Sequence, residues 1–174
     1  QGNGVTTHLI SFQPDGDYRA NSEYFIKKKK EEEKFLTSEE YTLHPTSMVN
    51  GGFEKDVLFW ATPKGEIQSK TVKNGQKAYK ISSDKPGWFG CTQWIEIPSN
   101  AVTMKVSGWI KTDSIVQGEQ VWEKARIAIE FQNKHNGMVG DYPPIVGHID
   151  GTTDWTFYSE TYTLPENKEV EKIQ

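Results

Sequence analysis

The chain contains little of what stabilises small secreted folds or anchors proteins in membranes. It has one cysteine, Cys91, among 174 residues, so no internal disulfide can form. No apolar run approaches the ~20 residues that a membrane-spanning helix requires. Positive charge is not in excess, because the formal net charge is -4, and nothing suggests nucleic-acid binding. These features predict a polar chain without a disulfide framework or a membrane span.

Catalytic motifs are also missing. The four histidines are too scattered for a zinc motif, at positions His8, His44, His135 and His148. The sequence contains neither a Gly-x-Ser-x-Gly nucleophile motif nor a phosphate-binding loop. Glu130 and Asp141 have the chemistry of a glycosidase acid and base, but nothing in the sequence sets their separation. We therefore expect a protein that is not an enzyme.

The composition divides the chain at about residue 45. Residues 22–41 are rich in lysine and glutamate, which favours a solvated helix or linker. His44-Pro45 would end that helix. Residues 46–174 instead hold many short strand patterns separated by turn signals, which is typical of an all-β sandwich. The prediction is a partly helical N-terminal extension (1–45) followed by a two-sheet antiparallel β-sandwich (46–174).

Within the predicted sandwich, apolar and other side chains alternate along three stretches, 89–97, 104–111 and 125–132. Alternation at period two indicates strands with one face in a core. The apolar set includes Cys91, which we expect to be a small buried side chain. The opposite face carries tryptophan and hydrogen-bonding groups, and we expect these to share the outer face of one sheet: Trp94, Trp109, Arg126, Glu130 and Gln132.

Flat aromatic side chains beside polar groups suit a sugar-binding surface. The apolar face of a pyranose ring stacks on an indole, while carboxylate, amide and guanidinium groups bond to its hydroxyls. The alternative is that a loop, a terminal segment or a neighbouring domain covers the outward tryptophans.

Loops supply a second group of candidate ligand-binding residues. The sequence predicts one long loop, 133–154, and loops of that length are more often functional than idle. It contains Asp141 and Tyr142. Trp88 and Trp122 follow turn signals near predicted strand ends, where the loops of a sandwich cluster.

Several short motifs in a fixed order resemble one family of proteins. The order of Asn50–Glu54, Trp60, Asn74-Gly75, Gln93–Pro98, Val106–Thr112, Ile127–Gln132, Gly151–Trp155 and Thr163–Pro165 resembles the jelly-roll carbohydrate-binding modules grouped as families 4, 9, 16 and 22. The likeness covers roughly residues 49–174.

The resemblance implies several properties. It implies a jelly roll in a secreted or cell-surface multi-domain protein that degrades polysaccharides, with a glycan ligand and a structural calcium ion. Glu54 matches the acidic residue that often helps to hold this metal. Family members usually close with a further strand that this sequence lacks. The missing strand would come from a continuation of the chain, from Thr7–Phe12 or from a partner.

Two functions of different classes follow. The first is a non-catalytic module that binds a polysaccharide or oligosaccharide. The second is a structural or interaction domain that packs against a partner domain or subunit and binds no sugar. A third reading makes the chain an accessory part of a glycoside hydrolase or polysaccharide lyase.

Overall fold

The structure is a computed structural model that describes residues 18–36, 48–61, 63–140, 145–164 and 170–174. The chain separates into two compact units, Gln1–Pro45 and Thr46–Gln174. The segment Thr7–Phe12 lies outside the described residues.

The first unit contains one described helix, α1 (Tyr18–Leu36). It begins four residues before the predicted start, and residues 37–41 of the prediction lie outside the described residues. Three lysine–glutamate pairs spaced at i, i+4 line its surface, each contributing only a few tenths of a kcal/mol. They are Lys27–Glu31 (3.9 Å), Lys28–Glu32 (3.7 Å) and Lys29–Glu33 (4.0 Å).

The described part of the second unit forms an all-β fold in which every paired strand is antiparallel. The strands are β1 (Glu66–Gln68), β2 (Ala78–Lys80), β3 (Ile95–Glu96), β4 (Thr103–Ile115), β5 (Ala125–Ala128), β6 (Phe131–Gln132), β7 (Ile145–Ile149), β8 (Gly151–Thr163) and β9 (Lys172–Ile173). They pair as β1–β2, β3–β9–β6, β4–β8 and β5–β7.

The long antiparallel pair β4–β8 shows the predicted alternation most clearly. Exposed and partly buried residues alternate from Thr103 to Lys111. Register pairs Gly108 with Tyr158 on the inner face and Trp109 with Phe157 on the outer face. Because cross-strand partners share a face, this pair sets one apolar side and one solvent-facing side.

The inner face of β4–β8 packs on the pair β5–β7. The hydroxyl of Tyr162 donates to the carbonyl of Ile145 at 3.2 Å. Gly147 in β7 lies so close that a Cβ placed on it would be 2.7 Å from Cδ1 of Ile110 and 3.1 Å from Cγ of Tyr158. Its φ of +64° also belongs to the region that favours glycine.

The inner face of β3–β9–β6 supplies the rest of the core. Phe131, Val139 and Leu164 are buried together, and partly buried side chains that include Met104 and Ile173 pack around them. The single long loop predicted for residues 133–154 is wrong, because β7 lies inside it and pairs with β5. A short apolar strand interrupted by Gly147 gives too little alternation to be recognised from sequence.

Residues 48–61 form a compact segment held by side chains. The Asn50 side-chain amide donates to the carbonyls of Asp56 and Leu58, both at 3.0 Å. Phe53 stacks between two aromatic rings, with centroids 4.8 Å from Trp60 and 4.9 Å from Tyr79. Trp60 is therefore a buried packing residue, whose Nε1 donates to the Asn50 carbonyl at 3.1 Å.

Among the described residues, no helix combines the length and the apolar character that crossing a membrane requires.

We predict that Gly147→Ala destabilises the fold by about 2–4 kcal/mol, because the added methyl group meets Ile110 and the backbone is strained. Gly151→Ala is the matched control, since φ is +69° there and nothing lies within 4 Å of the added Cβ. The control should lose only about 1 kcal/mol from backbone strain. Urea unfolding measures both, and equal losses would contradict the packing between the two strand pairs.

Candidate functional site

The outer face of β3–β9–β6 brings together several residues that the sequence analysis selected. Register aligns Ile95, Ile173 and Phe131 on the inner side. Continuing that register by one residue places Trp94 opposite Gln174. Glu130 and Gln174 exchange both backbone hydrogen bonds, at 3.0 and 2.9 Å. Because neighbouring residues of a strand point to opposite faces, Trp94, Gln174 and Glu130 form one row on the outer side. We call this row and its neighbours Gln132, Arg126 and Trp88 the Trp94 face.

Polar side chains in this face are connected to one another. The Gln132 amide donates to Oε1 of Glu130 at 2.9 Å and to Oε1 of Gln174 at 2.5 Å. Gln132 is only 4% exposed, so the expectation of an exposed Gln132 is wrong. Its own Oε1 is buried and accepts no hydrogen bond from the described residues. Gln132 therefore orients Glu130 and Gln174 and does not offer a surface of its own.

Arg126 and Trp88 form the other end of the Trp94 face. The guanidinium carbon of Arg126 lies 5.0 Å from the Trp88 ring centroid, a cation–π contact. Trp88 is 69% exposed, whereas Nη1 of Arg126 is buried and has no partner among the described residues. The sequence analysis placed Arg126 on the sheet and Trp88 in a loop, and in the structure these two side chains are in contact. Trp88 precedes Trp94 by six positions, so their Cα atoms are at most roughly 20 Å apart.

Trp109 does not belong to this face, so the expectation that it shares a sheet with Trp94 is wrong. It lies in β4, which pairs with β8, whereas Trp94 directly precedes β3, which belongs to the separate sheet β3–β9–β6. Trp109 instead contacts the exposed ring of Phe157, with centroids 5.2 Å apart, and Nζ of Lys73 lies 4.3 Å from its ring centroid.

Charged groups border the Trp109–Phe157 pair. Nζ of Lys111 lies 2.7 Å from Oδ1 of Asp154. The hydrogen bond from Lys111, helped by the Trp155 backbone N–H, holds the pKa of the Asp154 carboxyl below its ordinary value. The Asp154 carboxylate is fully exposed, so its ion pair with Lys111 contributes little to the stability of the fold.

Of the remaining loop candidates, Trp122 lies within the described residues. Trp122 is partly exposed in the loop between β4 and β5, whose ends are joined by the N–H of Gly118 donating to the Glu123 carbonyl at 2.9 Å. Asp141 and Tyr142 lie outside the described residues.

Glu54, the expected calcium ligand, has a different set of neighbours. Its Oε1 accepts the backbone N–H groups of Gln76 at 2.9 Å and Lys77 at 3.1 Å. The nearby Asp56 carboxylate pairs with Nζ of Lys77 at 2.6 Å. No three His, Cys, Asp or Glu side chains gather as metal ligands in the part of the chain that the structure describes. Calcium takes six to eight oxygens, which include backbone carbonyls and water, and calcium binding near Glu54 stays a prediction from the resemblance.

Sequence reasoning missed two residues of these surfaces. Phe157 is not among the predicted site residues, although its pairing with Trp109 follows once register is known. Gln174 was overlooked because Lys172–Ile173 is too short for a strand pattern. Only its apolar Val170 and Ile173 hint at a strand there.

The inner side beneath the Trp94 face contains the single cysteine. Burial raises the pKa of the Cys91 thiol from 9.0 to about 12. Burial, followed by the proximity of Cys91, also raises the pKa of Tyr79 to about 12, while a backbone hydrogen bond opposes this shift. The Tyr79 hydroxyl donates to the carbonyl of Gly90 at 3.4 Å. Cys91 is therefore a neutral, sheltered packing residue at neutral pH.

The chain was compared with protein-family models, with curated proteins and with solved structures, and none of the three comparisons found a match.

We predict that Cys91 makes the fold less stable in alkali. The folded thiol keeps its proton to about pH 12, whereas the unfolded thiol loses it near 9, so the contribution is complete below pH 9 and declines as pH rises toward 12. Urea unfolding over this range should show a smaller decline for Cys91→Ala, with Tyr79 responsible for part of the remainder. An identical decline in both proteins would contradict a sheltered thiol.

Proposed function

We propose that the chain is a non-catalytic carbohydrate-binding module and that the Trp94 face is its glycan-binding surface. The observation that carries the proposal is the row in which a partly exposed indole, Trp94, lies level with the polar side chains of Gln174 and Glu130. Aromatic area and hydrogen-bonding groups occur together at one level of one sheet. This is the combination that a sugar ring with one apolar face and equatorial hydroxyls requires.

Each group has a distinct part in the proposed binding. The Trp94 indole stacks on a sugar ring, and Glu130 accepts bonds from hydroxyls. Gln132 fixes the two side chains that it bonds to, which lowers the entropy lost when a glycan binds. Trp88 provides a second stacking position farther along the face, supported from below by Arg126. Arg126 acts here through Trp88 and does not need to contact the sugar.

The resemblance to jelly-roll carbohydrate-binding modules extends the proposal. On that likeness the antiparallel layers belong to a closed jelly roll with a structural calcium ion, in a secreted or cell-surface protein that carries a catalytic domain or joins a surface complex. The ligand is a polysaccharide or oligosaccharide. Binding should be weak, because a shallow face buries little area, with free energies of about -4 to -8 kcal/mol, or millimolar to micromolar affinity.

A second candidate function is an interaction domain without sugar binding. The Trp109–Phe157 pair favours it, since two exposed aromatic rings lie side by side on the outer face of β4–β8. In that case a partner domain or subunit covers these rings. Iodide quenching of variants that keep a single tryptophan distinguishes the two functions, because only a covered indole resists quenching.

We predict that Trp94→Ala abolishes retention on a bound glycan, because the stacking surface is lost. Trp109→Ala is a matched control, since both indoles are 41% exposed and they belong to different strand pairings, Trp109 to β4–β8 and Trp94 to the start of β3. Affinity electrophoresis against a panel of soluble polysaccharides, with insoluble ones tested by sedimentation, supplies the measurement. The control should keep its retention.

Two results would contradict the assignment. One is full retention by Trp94→Ala combined with loss in Trp109→Ala, which would move the site to β4–β8. The other is no retention of the unaltered chain on any glycan in the panel, which would favour the interaction domain.

A further inference from the structure

The outer side of β4–β8 carries exposed side chains whose chemistry differs from that of the Trp94 face. Exposed residues occupy every second position of β4: Thr103, Lys105, Ser107, Trp109 and Lys111. Register pairs three of them with exposed hydroxyl or aromatic residues of β8: Lys105 with Thr161, Ser107 with Ser159 and Trp109 with Phe157. Because cross-strand partners share a face, these side chains form one continuous surface. We call this surface the Trp109 face.

Lysines give the Trp109 face its positive charge. Lys105 is exposed and forms no ion pair with any described residue. Nζ of Lys73 lies 4.3 Å from the Trp109 ring centroid, which adds a second ammonium group to the same surface. Lys111 supplies a third. Glu160 does not oppose them, because it pairs with Val106, whose side chain belongs to the inner side of the strand pair.

A single carboxylate, that of Asp154, contacts these lysines within the described residues. The register shifts next to Lys111, so that Asp154 and Trp155 together oppose this one residue, as in a β-bulge. Oδ1 of Asp154 lies 2.7 Å from Nζ of Lys111. The hydrogen bond from Lys111 is the largest cause of the lowered pKa of Asp154, and the charge of Lys73 also lowers it. Three lysines beside one carboxylate leave a positive surface on a chain whose net charge is -4.

The Trp109 face lacks the groups that hydrogen-bond to a sugar. Its positions from Thr103 to Trp109 and from Phe157 to Thr163 include no amide and no carboxylate. The Trp109 ring already holds the Lys73 ammonium over one of its faces, and the Phe157 ring lies 5.2 Å away at an angle of 50°. The two rings therefore offer apolar contact and the lysines offer positive charge. A ligand that combines apolar groups with several carboxylates matches both, and an acidic polypeptide segment is such a ligand.

We propose that the Trp109 face docks an acidic segment of a partner polypeptide, with apolar side chains on the two rings and carboxylates on the three lysines. This inference rests on the interaction function given above as the second candidate, and it names the chemistry of the partner. It does not require glycan binding at the Trp94 face. A partner carboxylate displaces Asp154 from Lys111 at little cost, because an exposed ion pair is weak.

A titration with synthetic peptides tests the partner chemistry. The probe is a labelled, end-capped octapeptide, Glu-Asp-Leu-Glu-Phe-Glu-Asp-Glu, added to the full chain and followed by fluorescence anisotropy. The control peptide replaces every carboxylate with the corresponding amide and keeps leucine and phenylalanine. We expect saturable binding of the acidic peptide and at least about tenfold weaker binding of the amide peptide. Salt should weaken the binding of the acidic peptide, because it screens exposed charges.

Variants of the chain test the location of the site. Lys105→Glu should weaken binding of the acidic peptide about fivefold or more, and Trp109→Ala should also weaken it. The matched control is Lys134→Glu, which makes the same change in net charge at an exposed position after β6, a strand of the other sheet. It should leave binding within about twofold of the unaltered chain.

Asp154→Asn should have the opposite effect, a gain that damage to the fold cannot produce. It frees Lys111 and removes a negative charge, while asparagine keeps the Oδ1 that accepts the Trp155 N–H. We expect binding of the acidic peptide to strengthen about two- to fivefold.

Several results would overturn the proposal. One is the absence of saturable binding of the acidic peptide up to about 1 mM. Another is an equal loss in Lys105→Glu and Lys134→Glu. Equal binding of both peptides, lost in Trp109→Ala, would leave the interaction function in place and remove the acidic partner. Tighter binding of polygalacturonate than of the peptide, lost in Lys105→Glu, would assign the face to an acidic glycan instead.

Discussion

The insertion of β9 between β3 and β6 is the interaction on which the Trp94 face depends. Lys172–Ile173 comes from the end of the sequence, yet it pairs with residues 95–96 and 131–132, which are far from it along the chain. Without it these two strands would have no hydrogen-bonded connection among the described residues. One short strand therefore places Trp94 and Glu130 at the same level, with Gln174 between them.

Packing between layers determines which residues can act together. Gly147 brings β7 against Ile110 and Tyr158, so β4–β8 presents its opposite side to solvent. Trp109 and Phe157 lie on that side, whereas Trp94 directly precedes β3, which belongs to another sheet. The two indoles are equally exposed, yet they have different strand neighbours.

The sequence predicted which face of a strand a side chain occupies better than it predicted which strands pair with each other. Alternation along β4 separates Ile110 from Trp109 because period two maps directly onto the two sides of a strand. It could not say that Trp109 and the strand that follows Trp94 belong to different sheets, since pairing partners depend on contacts between distant residues. β7 was missed because Gly147 interrupts an already short apolar run. Gln132 is a second example. Alternation along the strand predicts that it lies on the outward face, but it does not predict its burial, which depends on the neighbours that cover it.

The Trp94 face exists only if β9 bonds to both of its neighbours in this register. Hydrogen exchange followed by NMR at single-residue resolution is the sharpest test, because three N–H groups next to β9 bond to a neighbouring strand: Ile97 to the Glu171 carbonyl, and Glu130 and Gln174 to each other. We expect these three amides to be protected to a similar degree and to lose protection together as urea is added. Exchange of the Glu130 and Gln174 amides at the rate of an unstructured peptide, while β4–β8 stays protected, would contradict it.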